Sequence, residues 1–105
     1  MEIRTGDISE IENFQLFNED NEGEEVLIVE QDDQVVAYAQ VTDGTIYFME
    51  SEAKGAGRLL VDYLKDREGY LIAKSVEETA KGFWQKMGFQ YLNGDGYGGQ
   101  DWDWE

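Results

Sequence analysis

The stretch IYFMESEAKGAGRLLVDYL, residues 46–64, holds the decision about the fold. It opens with an apolar run, Ile46-Tyr47-Phe48-Met49, passes through Glu52-Ala53-Lys54-Gly55-Ala56-Gly57, and then changes period. Ala56, Leu59, Leu60, Tyr63 and Leu64 recur at helical spacing, with Arg58, Asp62, Lys65 and Asp66 on the other side. The reading is strand, glycine-rich turn, helix. Glycines let successive backbone N–H groups converge on one anion, and the helix adds its free N–H groups and positive dipole end. The hexapeptide is neither a full P-loop nor a dinucleotide fingerprint, so a plain strand-to-helix turn is the competing reading.

Working outward, Glu2-Ile3-Arg4 reads as a first strand. Asp7 caps a helix with Glu10 three residues on, and Ile8, Ile11 and Phe14 give it an apolar stripe to Phe17. Residues 18–25 are a polar loop. Val26–Val29, Val35–Val41 and Thr45–Glu50 form a three-stranded antiparallel meander, with Asp43-Gly44 as a hairpin signal. After Gly69, Tyr70–Ala73 is a buried strand. Ser75 with Glu78 has the pattern of a capping box opening a helix whose core face is Ala80, Phe83, Trp84 and Met87, and Gly88 stops it. Phe89–Leu92 is a strand, residues 93–100 a glycine-rich loop, and Asp101–Glu105, where Trp102 and Trp104 alternate with acids, a last edge strand. The tryptophans suit either strand packing or an interaction edge. The order is β-α-β-β-β-α-β-α-β-β: an α+β fold with a mixed, mainly antiparallel sheet and helices on both faces, in one domain over residues 1–105.

Composition narrows the chemistry. The chain has 105 residues, no cysteine and no histidine. Thiolate nucleophiles, cysteine metal sites and histidine-based triads are excluded, and no metal is expected. Catalysis must use carboxylates, tyrosines, lysines or the backbone. The net charge is −16, unevenly spread: −14 over residues 1–53, +2 over 54–86 and −4 over 87–105. An acidic chain repels nucleic acid and anionic membranes, so neither is an expected partner. The stretch that escapes the acidity begins at Lys54, inside the hexapeptide. The apolar runs are too short to span a membrane and the N-terminus lacks a signal-peptide pattern, so a cytoplasmic protein is expected.

The element order, with Glu52–Gly57 between the fourth strand and its helix, resembles the GNAT superfamily of acyl-CoA-dependent N-acetyltransferases. Gly55 and Gly57 match the two small positions of that family's pyrophosphate loop, Gln/Arg-x-x-Gly-x-Gly/Ala. Ala80-Lys81-Gly82-Phe83-Trp84-Gln85-Lys86-Met87-Gly88-Phe89 resembles its later helix, A-x-x-F-Y-x-K-x-G-F. The resemblance implies acetyl-CoA as co-substrate. Backbone N–H groups from Lys54 through Gly55, Ala56 and Gly57 to Arg58 would hold its pyrophosphate, with charge from Lys54 and Arg58. The pantetheine arm would lie along Tyr47, Phe48, Met49 and Glu50, near Trp84. The sheet would splay between that strand and Tyr70–Ala73. Three departures stand out: Glu52 at the Gln/Arg position, Trp84 where the family often has the tyrosine that protonates the leaving thiolate, and Glu77 where an asparagine often precedes the helix.

Transfer to an amine needs that amine neutral, whereas a free lysine has a pKa near ~10.4. A carboxylate or water must take the proton. Glu50 is the first candidate base and Glu52 the second; the competing reading, and the commoner role for any one of the 24 acids, is a solvated surface acid. Tyr91 or Tyr97 could protonate the thiolate, or simply pack. The expected activity is acetyl transfer from acetyl-CoA to a primary amine, on a basic protein or a polyamine suited to the negative surface. The alternative is a GNAT-fold acidic interaction protein that blocks a basic, nucleic-acid-binding partner. Glu52 and Trp84 favour the alternative; Gly55, Gly57 and the locally basic stretch favour the enzyme. The oligomeric state is not legible.

Overall fold

The computed structural model describes residues 1–14, 25–94, 96 and 98–105. Seven strands form a single sheet: β1 (Glu2–Gly6), β2 (Glu25–Gln31), β3 (Gln34–Thr42), β4 (Thr45–Ser51), β5 (Leu71–Val76), β6 (Gln90–Gly94) and β7 (Gln100–Trp104). Their spatial order is β1-β2-β3-β4-β5-β7-β6. Every neighbouring pair is antiparallel except β4 and β5, which run parallel and are joined by the crossover helix α1 (Ala56–Arg67). A 3₁₀ turn at Glu78–Ala80 leads into the short α2 (Lys81–Lys86). The result is an α+β fold on a mostly antiparallel mixed sheet. Among the described residues, no helix is long and apolar enough to cross a membrane.

The strands alternate their side chains between two cores. One face collects Leu27, Val29, Ala37, Ala39 and Val41 with Leu60, Val61 and Leu64 of α1 and Trp84 and Met87 of the later helix and its end. The opposite face collects Val26, Ile28 and Tyr38 with Ile11 and Phe14. The two-residue turns are those the twist of a hairpin favours. Asp32-Asp33 and Asp43-Gly44 both have positive φ throughout (54°, 64°, 48° and 80°).

Four expectations change. The helix expected over residues 7–17 is, in its described part, a 3₁₀ turn at Ile8–Ile11, with Asp7 N–H donating to Glu10 Oε2 at 2.8 Å; residues 15–17 lie outside the described residues. Ile8, Ile11 and Phe14 are spaced by three, the period of a 3₁₀ helix rather than an α-helix. Ser75 does not cap a helix but lies inside β5. The last strand, β7, is not an edge: it inserts between β5 and β6, and its acids Asp101 and Asp103 are buried rather than solvated. Finally, Tyr63, expected in the core stripe of α1, is exposed and stacks beside Arg67.

Candidate functional site

Among the described strands, the one parallel junction is also the one with the fewest paired positions. β4 and β5 pair at two positions, Thr45 with Ile72 and Ile46 with Ala73. Ile72 N–H also donates to Gly44 O at 2.9 Å, so the hairpin tip is tied to the start of β5. Beyond Ile46 the strands part. The cause lies in the β3/β4 register: Val41 faces Ile46 but Gln40 faces Phe48, which leaves Tyr47 as the extra residue of a β-bulge. A bulge bends its strand and increases local twist, and here it does so where the parallel pairing stops. The opening is a cleft of about 290 Å³ lined by Tyr47, Phe48 and Met49 on one side and Lys74, Ser75 and Val76 on the other, with Glu77, Ala80 and Trp84 around it.

The β5 wall is bulged too. Ala73 faces Trp102 and Val76 faces Gln100, so Lys74 and Ser75 together stand against Asp101. Asp101 is 5% exposed. Its carboxylate accepts from Lys74 Nζ at 2.9 Å and from Ser75 N–H at 3.1 Å. The Asn93 amide nitrogen, turned toward it, adds a third donor at 3.0 Å. Ser75 has φ +53°, a left-handed conformation that a non-glycine residue holds only when its surroundings demand it. A buried carboxylate therefore braces a strained segment at the mouth of the cleft.

The glycine-rich turn lies at the far end of Met49. Gly55 adopts φ +87°, and a side chain there would meet nothing within 4 Å. Its carbonyl accepts from Leu59 N–H at 3.0 Å, while Ala56 N–H turns back to Ala53 O at 3.2 Å. Gly57 and Arg58 follow in the first turn of α1, where N–H groups have no intrahelical acceptor. Within the run from Lys54 to Arg58, the Ala56 N–H is thus engaged by Ala53 O. A second hollow of about 330 Å³ opens beside the glycine turn, lined by Met49, Ser51, Gly55, Gly57, Arg58, Ala80, Phe83 and Trp84. Met49, Ala80 and Trp84 line both hollows, so the two adjoin, a groove in two parts between the parted strands and the glycine turn. Trp84 is fixed by edge-on contacts to Phe83 and Phe89, with centroids 5.1 and 4.9 Å away.

Several candidate residues stand off this groove. Ala56 is in the core, and Lys54 is exposed and lines neither hollow. Arg58, by contrast, does line the second hollow, and it reaches Asp62 at 3.6 Å. Glu52 is exposed just past β4, its N–H bonded to Val36 O at 2.7 Å, and it lines neither hollow. Glu50 pairs directly across from Tyr38, so strand alternation puts its side chain on the face opposite Met49. Tyr91 is 56% exposed on β6, packed against Trp102 and separated from β4 by β5 and β7, so the structure does not bring it to the groove. Tyr97 lies outside the described residues.

Three residues of interest escaped sequence reasoning. Lys74 and Asp101 are far apart in the chain and meet only because β7 inserts beside β5. Tyr38 is fully buried and its hydroxyl has no hydrogen-bond partner among the described residues. Burial, and then the Glu50 carboxylate, push its phenol up to about 12. An apolar-looking run, Val35-Val36-Ala37-Tyr38-Ala39, carried no signal of either partner.

No family model matches the chain, and no curated protein matches it. Among solved structures, the solution structure of apo-form YjaB from Escherichia coli is similar, with a TM-score of 0.60 and 22% identity over 74% of this chain. The match spans 61% of that structure's chain. At this identity the likeness is one of fold.

Proposed function

We propose that the chain is a GNAT-like N-acetyltransferase, with helical segments on both faces of its mixed sheet, that moves an acetyl group from acetyl-CoA to a primary amine. The acceptor class is basic, a lysine- or arginine-rich protein or a polyamine, in keeping with the net charge of −16. One observation carries the reading: β4 and β5 part after two pairs, and the hollow between them adjoins a second one beside the glycine turn at the start of α1. In this reading the Gly57 and Arg58 N–H groups face the pyrophosphate. The extended arm adds itself to β4 beyond Ile46, where β5 no longer pairs. Backbone N–H groups of the bulged strand would polarise the thioester carbonyl.

Glu50 supplies the proton acceptor. It lies on the face opposite Met49, so the amine would approach the thioester from the face of the sheet opposite Met49. Glu50→Gln keeps the shape and removes the base; transfer should fall by about 10²–10⁴-fold. CoA affinity should stay unchanged, because the phosphates are held elsewhere. The primary test is acetyl-CoA binding followed by calorimetry and amide resonances. Shifts should concentrate at residues 46–49, 55–58 and 73–76. Absence of binding, or shifts confined to residues 2–12, would discard the reading. A second reading, an acidic protein of this fold that blocks a basic nucleic-acid-binding partner, is favoured by Trp84 at the family's acid position. It predicts tight capture of a basic partner with no acetylated product.

A further inference from the structure

The sheet has two edges, and they are built differently. β1 closes one side. It carries Glu2 and Arg4, and Arg4 is held by Glu10 and Glu30. Charge on an outer strand is a common guard against another strand adding there. β6 closes the other side, with β7 as its one neighbour among the described strands. All five of its residues, Gln90-Tyr91-Leu92-Asn93-Gly94, are exposed, and no charge falls between Lys86 and Asp95. An uncharged outer strand leaves its outward N–H and C=O groups open to pairing.

The side chains on this edge point the same way. Tyr91 faces Trp102 and Asn93 faces Asp101, so Leu92 is the extra residue of a bulge, with no counterpart on β7. It is 41% exposed and belongs to neither core cluster. Tyr91 beside it is 56% exposed. A bulge shortens the ladder that an edge can offer, so apolar side chains must supply part of any contact made there.

The strand order decides which partner suits the edge. The acidic residues described within residues 1–53, where the sequence holds −14, lie on β1–β4 and the segments joined to them. β4 is the nearest of these strands to β6, and three strand spacings, about 14 Å, separate the two. Screening at physiological salt acts over about 8 Å. Two copies joined at β6 therefore keep their acidic strands apart, whereas joining at β1 would bring them together. A basic segment gains nothing from an edge without acids.

We infer that β6 is the docking edge for a second copy of this chain. The two strands pair antiparallel about a two-fold axis, and Leu92 and Tyr91 pack against their counterparts. The arrangement closes on itself. Pairing consumes both β6 edges and leaves the charged β1 edges outermost, so the joined sheet does not grow further. This goes beyond the acyl-transfer reading and does not depend on it.

Sedimentation velocity from micromolar to millimolar concentration tests the association, and amide hydrogen exchange at both ends of that range locates it. The mass should double as concentration rises, and exchange should slow at amides of Gln90–Gly94 but not at those of Glu2–Gly6. Leu92→Lys sets two ammonium groups near the axis. It should raise the dissociation constant at least about tenfold, with the amide spectrum still dispersed because Leu92 lies outside the core. Thr5→Lys, exposed on β1, should leave the association unchanged. A monomer throughout the range would overturn the inference. So would a dimer that slows exchange at β1 instead, or one that Thr5→Lys dissociates and Leu92→Lys does not. Protection of β6 only when polylysine is added would assign the edge to a basic partner and equally overturn it.

Discussion

Gly44 and Gly55 both hold positive φ, +80° and +87°, and both follow or precede β4, yet they do opposite things. A Cβ on Gly44 would sit 2.8 Å from Tyr70 O; on Gly55 it would meet nothing within 4 Å. The first glycine closes space and the second leaves it open. Gly57 makes a third case. Its conformation is helical, and a Cβ there would touch Phe83 and Met49 at 3.5 and 3.6 Å, ordinary van der Waals distances. Neither φ nor packing requires glycine at 57. What the missing side chain leaves is room in the hollow beside the helix N-terminus. A glycine needed by the fold and one that leaves room for something else can look identical in sequence.

The largest effect should follow from filling Gly44. Gly44→Ala combines the left-handed penalty of about 1–2 kcal/mol with a clash against a backbone carbonyl that cannot rotate away. The same carbonyl segment leads into β5, and Gly44 O accepts from Ile72 N–H at the parallel junction. We expect a loss of about 2–4 kcal/mol in denaturant midpoints, within the range of overpacking and strain combined. A loss below about 1 kcal/mol would mean that the hairpin tip can shift away from Tyr70, and the contrast with Gly55 would collapse.

Filling Gly57 should instead spare the fold and strike the ligand. Gly57→Ala fits the available space and improves helix propensity by up to about 1 kcal/mol, so stability should hold or rise. Gly57→Glu adds bulk and a negative charge at the N-terminal turn of α1. CoA affinity should fall at least about tenfold, equivalent to 1.4 kcal/mol, with the amide spectrum still dispersed. Unchanged affinity in Gly57→Glu would reduce the hexapeptide to a turn.

This contrast also marks what the sequence disclosed. The meander, the crossover helix from Ala56, and the Gly88 stop were legible because local signals agreed: alternation, helical period, and glycines at the turns. The glycine-rich turn between β4 and α1 was legible for the same reason. What was hidden depended on contacts between distant segments. Asp101-Trp102-Asp103-Trp104 has the alternation of an edge strand with solvated acids, but β7 lies inside the sheet. Asp101 is instead spent on Lys74 and Ser75, and Asp103 on the Tyr70 hydroxyl at 2.9 Å. Ser75 and Glu78 have the spacing of a capping box, yet the Asp101 carboxylate holds Ser75 in the strand. The Tyr47 bulge follows from the register of β3 against β4, which no local pattern encodes. Nor did Glu50 announce its face; that required knowing Tyr38 as its partner.

The smallest effect comes from the other hairpin, and it tests whether positive φ alone asks for glycine. Asp32-Asp33 makes the same two-residue connection as Asp43-Gly44, with φ 54° and 64°. Position 33 therefore corresponds to Gly44 but carries an aspartate, exposed to solvent rather than packed under Tyr70. Aspartate tolerates the left-handed region better than most residues, so its strain lies at the low end of about 1–2 kcal/mol. Asp33→Gly removes that strain and one charge from a strongly acidic segment. Against this, glycine adds about 0.5–1 kcal/mol of conformational entropy to lose on folding. The two nearly cancel, and a gain of up to about 0.5 kcal/mol is expected from the Asp-Gly preference of such turns. Denaturant midpoints of Asp33→Gly and Gly44→Ala, measured together, separate the two requirements. If Asp33→Gly destabilises by more than about 1 kcal/mol, the Asp33 side chain is holding the turn, and the two hairpins are not equivalent tests of backbone conformation.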